Sequence, residues 1–358
     1  MHSKIANLFE SNVWNNLFPN KLSSLIFISY MVLFINQGLL VTATKTADNK
    51  YTYSTIAAVF FTECTKLFIA ISIYLRDKKL KELVPDLIAS KNVFALYFVP
   101  AFLYCVYNNL AFVNLQSFDP TTYYLLLQFR VVVTGIIYQI LFKRKLSNRQ
   151  WFSLILLTCG CIVKNFGQMK MTSSSFLSFS ILLILFQVFC SCFAGVYNEL
   201  LLKDNNTHIM IQNIYMYSAS IFCNFMVYCA TNYNKMDETF SVSILENLLQ
   251  PLILAVIVNN ALCGIVTSIF LKNLNSILKT FASALELVFT AIFCWILFHI
   301  AIDMYTIVAI AIVSYATFLY SRNPVVNRPL PSSLELKTDE EQVDLISENN
   351  RKSNVDNV

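Results

Sequence analysis

The feature that most constrains this chain is the recurrence of apolar runs long enough to cross a bilayer. Ten follow one another, at about 22–44, 55–75, 94–115, 121–142, 150–166, 176–201, 211–231, 251–271, 277–300 and 302–320. A hydrocarbon core takes roughly 20 apolar residues of helix to span. Lipid offers no partner for a bare N–H or C=O, so each run is expected to close its own backbone bonds as a helix. The expected fold is therefore all-α and polytopic, with about ten transmembrane helices. The composition agrees: 56% of the 358 residues are hydrophobic, 13% are charged and only six are glycine, far from a soluble protein of this size. The opening stretch "MHSKIANLFESNVWNNLFPNK" is polar and aromatic, unlike a cleavable leader, so the first span is expected to serve as its own signal anchor.

Short basic loops set the orientation. Arg76, Lys78, Lys79, Lys81 and Lys91 follow span two; Lys143, Arg144, Lys145 and Arg149 follow span four. These loops share a side with Lys203 and Lys272, and the opposite side carries only Lys45, Lys50, Lys170 and Lys235. By the positive-inside rule both termini face the cytosol. The net charge of +5 thus reports topology and does not point to nucleic acid. The sequon at Asn205, Asn206 and Thr207 falls on the cytosolic side and is expected to stay unglycosylated.

Three regions follow: a cytosolic segment 1–21, a membrane domain 22–320 with halves of about 22–170 and 176–320, and a polar tail 321–358. The tail cannot bury enough apolar surface to fold alone. It contains "EQVDLI", in which Glu341 precedes Leu345 and Ile346 at the interval of a dileucine sorting signal, although so short a pattern also arises by chance. Nearly all ten cysteines lie inside apolar runs, and with three histidines they show no metal-ligand spacing. They are read as small core residues, and no metal or cofactor is expected.

The halves share a plan. "YNNLAFVNLQSFDPTTYYLLLQFRVVVTGII" and "VNNALCGIVTSIFLKNLNSILKTFASALELVFTAI" each open with an asparagine pair, Asn108 and Asn109 or Asn259 and Asn260. Each passes a polar break and enters a helix with one cation, Arg130 or Lys279. The placement is equivalent in two five-span halves, and an odd number of spans makes the repeats inverted. Such repeats typify secondary transporters, with the site between them near mid-membrane.

Arg130 stands near the middle of the fourth run, and no acid shares that run. A charge at the centre of a span costs roughly 2.5–3.5 kcal/mol on insertion scales, so it faces a partner or a polar cavity. Glu63 and Glu286 are candidate partners; the other reading is a cavity cation awaiting an anionic substrate. A second cation at the matching place favours the cavity, and Arg and Lys together suit phosphate. Asparagine side chains offer the donors and acceptors that a base edge requires. Tyr104, Tyr107, Tyr123, Tyr124, Tyr215 and Tyr217 can stack on a base or simply pack helices. Asn213 and Tyr217 share a helix face at i and i+4, and Glu63 with Lys66 at i and i+3 reads as a structural intramembrane pair.

"YNNLAFVNLQSFDPTTYYLLLQFR", "LSNRQWFSLILLTCGC", "CSCFAGVYNELLLK", "QNIYMYSASI" and "NSILKTFAS" resemble, in order, the motifs of the nucleotide-sugar transporters, most closely the CMP-sialic acid and UDP-galactose branch. The resemblance runs from about residue 18 to 320. It implies a ten-helix drug/metabolite transporter fold and exchange of a cytosolic nucleotide-sugar for a lumenal nucleoside monophosphate. Carried over, it places Asn108, Tyr123, Arg130, Asn213, Tyr217, Ser268 and Lys279 in a substrate site, with Arg130 on phosphate and Asn213 and Tyr217 on the nucleoside. The chain departs from the family at Arg130, often lysine, at "NLNS", and at Ala219, where a serine is usual.

The resulting expectation is a multi-pass Golgi antiporter that imports a UDP-sugar, UDP-galactose foremost, in exchange for UMP. Glu286, seven residues beyond Lys279, is a candidate for sugar contact, structural pairing or proton coupling. Rival classes are a proton-coupled carrier of a phosphorylated metabolite, an intramembrane enzyme, for which no paired acids or metal site are found, and a scaffold acting through its tail. Besides the UDP-sugar, UMP and the bilayer, a homo-oligomer and sorting adaptors at the tail are the partners considered.

Overall fold

The computed structural model describes residues 18, 20–44, 53, 55–117, 123, 126–166, 179–204, 207–231, 246–298, 303–322 and 324–325. The sequon asparagines and the tail with Glu341, Leu345 and Ile346 lie outside these residues. The described helices of five residues or more are α1 (Lys21–Ala43), α2 (Thr55–Asp77), α3 (Leu80–Ala89), α4 (Lys91–Ser117), α5 (Arg130–Leu141), α6 (Asn148–Phe166), α7 (Phe179–Asp204), α8 (Ile209–Thr231), α9 (Pro251–Asn273), α10 (Ser276–Phe298) and α11 (Met304–Ser321). No strand occurs among the described residues. Seven of the helices are long and apolar enough to cross a membrane: α1, α2, α4, α7, α9, α10 and α11. The protein is multi-pass. Its outward side chains include Phe68, Ile140, Leu182 and Met304, each at least 65% exposed, which is a lipid face and not a solvent face.

Local chemistry explains several helix ends. Ser147 and Gln150 form a capping box before α6: the Ser147 N–H donates to Gln150 Oε1 at 2.8 Å and the Gln150 N–H to Ser147 Oγ at 3.3 Å. Pro251 opens α9, where a missing N–H costs nothing. Asp303 caps α11 by accepting from the Thr306 N–H at 3.0 Å.

The fourth apolar run corrects the sequence reading. It is not one described helix over 121–142 with Arg130 near its middle. Gln128 and Phe129 form a turn, and α5 starts at Arg130. The Phe129 N–H bonds to the Leu126 carbonyl and the Val131 N–H to the Gln128 carbonyl, both three residues back. This is tight-turn geometry, set where the sequence passes through Gln128. The loop after span two also holds more than basic residues, because α3 forms there despite Pro85 inside it.

The packing has a regular pattern. With α3 set aside, α1 lies on α9 and α10 as α7 lies on α4 and α5, and α2 lies on α9 as α8 lies on α4. Three pairs join counterparts directly: α2 with α8, α5 with α10, and α6 with α11. Amides bridge two of the equivalent contacts. Asn36 Nδ2 donates to Asn259 Oδ1 at 3.0 Å between α1 and α9, and Asn114 Nδ2 donates to Gln187 Oε1 at 2.7 Å between α4 and α7. Gly160 lets α6 approach α11, since a Cβ there would meet Ile312 and Val313 at 3.0 Å.

The short helix α3 is tied down by side chains. Asp86 Oδ2 accepts from Tyr74 Oη at 2.7 Å and from Lys78 Nζ at 2.8 Å. The Lys78 bond, then the Tyr74 bond, hold the Asp86 carboxyl below its ordinary range, so the tether is charged at neutral pH. His208 nearby sits below its ordinary value because it is partly desolvated; its 3.7 Å approach to Asp77 is therefore not an ion pair at neutral pH.

Candidate functional site

A cavity of about 130 Å³ lies where α4, α5, α6, α7, α9 and α10 converge. Arg130 and Lys279 both line it, with Tyr104, Gln128, Ser191 and Ser283 among their polar neighbours. Each cation stands in the first turns of its helix, Arg130 as the first residue of α5 and Lys279 as the fourth of α10. The Val131, Ser276, Leu278 and Lys279 N–H groups are already bonded, so beyond the helix dipole the positive charge offered to an anion here is that of the two side chains. Among the described residues neither Arg130 nor Lys279 makes an ion pair. They are close enough to repel one another electrostatically.

The Lys279 side is built by a network that the sequence reading missed. Leu274 and Asn275 interrupt α9 and α10. Asn275 Oδ1 accepts from the Leu278 N–H at 2.7 Å and caps α10. Glu199, fully buried on α7, accepts from the Ser276 N–H at 2.7 Å, from Ser276 Oγ, and from Lys203 Nζ at 2.6 Å. Lys203 Nζ also donates to the Leu274 carbonyl. One acid and one base thus satisfy both ends of the chain break. The signal in the sequence was the Glu199 and Lys203 pair at i and i+4 in "NELLLK", which is a helix ion-pair spacing.

The other expected site residues fall into separate places. Tyr123 is buried, and its hydroxyl accepts from Gln187 Nε2 at 2.8 Å. Asn213 is buried beside Met210, whose sulfur is 3.9 Å from Nδ2. Tyr217 and Ser268 approach hydroxyl to hydroxyl at 3.5 Å. Asn108 is exposed on α4. None of these five lines the cavity. Glu63 and Lys66 do form the expected pair, at 2.7 Å. The Lys66 ammonium also lies 5.6 Å from the centre of the Tyr217 ring, and a Cβ at Gly264 would fall 2.7 Å from Lys66 Cε. Lys66, Tyr217, Ser268 and Gly264 are therefore one cluster. Glu286 is half-buried on α10, within electrostatic reach of Tyr30 and Cys263. Tyr30 joins α1 to α10 through Ser283 at 3.2 Å.

Comparison with known proteins adds the family. A model described as nucleotide-sugar transporter matches residues 20–321. The chain is 48% identical to the UDP-galactose transporter senju of Drosophila melanogaster, over 97% of this chain and 100% of that protein. It is 28% identical to CMP-sialic acid transporter 2 of Oryza sativa subsp. indica, over 87% and 86% of the two chains. A crystal structure superposes with a TM-score of 0.63 at 11% identity, covering 85% of this chain and 97% of the other, which speaks for the fold alone. The matched family and relatives are transporters and not enzymes. With a family match that spans every described helix, the chain belongs to the nucleotide-sugar transporters.

Proposed function

We propose that this protein is a Golgi antiporter that carries UDP-galactose, or a closely related UDP-sugar, into the lumen and returns UMP. The single observation that carries this reading is the pair of cations, neither in an ion pair among the described residues, lining one cavity. Arg130 presents a planar fork to one phosphate and Lys279 a movable point charge to the next. The family resemblance assigns the nucleoside to Asn213, Tyr217 and Ser268 with Tyr123 and Asn108 beside them; these residues lie outside the cavity as it stands and would join the site only as the repeats move. The name of the 48% identical relative supports a UDP-sugar over a CMP-sugar.

The recurring helix contacts support ten spans in two inverted five-helix repeats, and the basic loops support cytosolic termini. Arg130 belongs to one repeat and Lys279 to the other, so the diphosphate bridges them. The cavity, at about 130 Å³, is smaller than the roughly 300–1,000 Å³ of ligand pockets. Entry of a nucleotide-sugar therefore requires the repeats to rock apart, which is the motion of alternating access. Without ligand the two cations face each other in low dielectric, and repulsion disfavours passage of the empty carrier. Exchange is obligatory for that reason.

Counterflow in liposomes against a panel of nucleotide-sugars tests the reading. UMP-loaded vesicles are expected to take up UDP-galactose faster than CMP-sialic acid, and nucleotide-free vesicles to take up little. Equal uptake into both kinds of vesicle overturns the exchange mechanism. Preference for a nucleotide-sugar with another base overturns the substrate assignment.

A further inference from the structure

Helix α3 has no role in the cavity, and its placement calls for a partner. Only Lys78 and Lys79 separate it from α2, and only Ser90 separates it from α4. Both neighbours are long and apolar enough to span. A ten-residue helix on such short links stays at the membrane–water boundary. One side of it faces protein: Leu83 and Leu87 pack against the core around Tyr74 and Tyr215. The Tyr215 hydroxyl fixes its end, donating to the Leu87 carbonyl at 2.7 Å and lying 2.9 Å from Ser90 Oγ. The tether through Asp86 fixes its middle.

Among the described residues the other side faces no protein. Leu80, Val84 and Ile88 are 66%, 60% and 63% exposed. Their spacing of four puts them on one stripe of the helix. Glu82 and Asp86 fall on the opposite half of the helix wheel. Lys79, Lys81 and Lys91, all exposed, flank the stripe in the chain. An apolar stripe with basic flanks, held at the boundary, has the chemistry of a helix that lies in the headgroup region. Lysines at that depth attract anionic headgroups.

We propose that α3 is an interfacial helix that seats Leu80, Val84 and Ile88 among the acyl chains of the adjoining leaflet, with Lys79, Lys81 and Lys91 on anionic phospholipid headgroups. The occupant of this face is bilayer lipid. Because α3 is bonded to Tyr74 of α2 and Tyr215 of α8, the lipid also sets how firmly this corner of the helix bundle is held. The inference stands whichever nucleotide-sugar is carried.

A nitroxide attached through Val84→Cys on the full-length protein reads the placement, with Cys159→Ser and subtraction of the signal from protein lacking Val84→Cys. The protein is reconstituted in phosphatidylcholine vesicles with and without phosphatidylserine. The label is expected to relax with dissolved oxygen more than with a water-soluble nickel complex. The ratio is expected to rise severalfold with phosphatidylserine, and this rise to vanish in Lys79→Gln, Lys81→Gln, Lys91→Gln protein. A label as open to nickel as a loop site overturns the proposal. An immersed label whose depth ignores phosphatidylserine overturns the anionic-lipid assignment. A label open in vesicles but shielded in native membranes assigns the face to a protein and overturns the proposal as well.

Discussion

The starts of α5 and α10 do the same work with different engineering. At α10 the break is two residues long, Asn275 caps the helix, and Glu199 with Lys203 clamps Ser276 and Leu274 to α7. At α5 the cap position is held by Phe129, whose side chain makes no cap bond. Among the described residues the Arg130 carbonyl accepts from Cys192 Sγ at 3.3 Å. Lys279 is thus delivered by a mount fixed with side-chain bonds, and Arg130 by one built on backbone bonds.

Substitutions that remove one side of this comparison should have the largest effect. Arg130→Ala should abolish nucleotide-sugar uptake while leaving delivery to the membrane intact, because the lost charge was costly to insert. Degraded, misrouted protein would show that Arg130 is structural. Arg130→Lys should keep partial uptake, since a point charge replaces the fork. Glu199→Ala attacks the fixed mount. It removes the carboxylate from Lys203, which keeps the Leu274 carbonyl, and the acceptor of the Ser276 N–H, and should cost on the order of a few kcal/mol of stability, read as a lower melting temperature in detergent. An unchanged melting temperature would mean the clamp is not needed to hold α10.

Glu286→Gln is a finer probe, because it keeps shape and an acceptor but removes charge. UMP-for-UMP exchange should persist while preference among UDP-sugars shifts. Identical kinetics for every substrate would end the sugar-contact reading, and lost pH dependence would assign proton coupling instead. The smallest effect on transport is expected at the tail. Leu345→Ala with Ile346→Ala should move the protein's steady-state location under the microscope and leave transport per molecule unchanged. An unchanged distribution removes the sorting role.

How much of this was legible depends on which force set each feature. The apolar runs reported the helices well, because lipid enforces helix wherever hydropathy is high; the described helix limits lie within a few residues of those runs at α1, α2, α6 and α8. The paired cations were legible because charge inside a span is scarce. The break before α5 was hidden, since Gln128 and Phe129 carry no glycine or proline to announce a turn. Glu199 was passed over at the end of the sixth run, although it is fully buried. Helix α3 was masked by Pro85 and by the lysines around it, which drew the reading toward topology. Asn259 was read as part of a repeated pair, and the structure gives it bonds to Asn36 and to the Leu33 carbonyl.

Gly264 carries a consequence for how this sequence can drift. Its missing side chain is the space that the Lys66 stem occupies, and the nearest atoms are the movable end of that lysine. A methyl group at 264 need not break the backbone, since the lysine tip can swing aside. It would, however, turn the ammonium away from Glu63 and from the Tyr217 ring. The two positions lie on α2 and α9, almost two hundred residues apart in the chain, yet they are inherited as one decision. A lineage that gains a side chain at 264 must re-choose residue 66, and with it the fate of the acid at 63. Among relatives of this protein, positions 63, 66 and 264 should therefore change together or not at all.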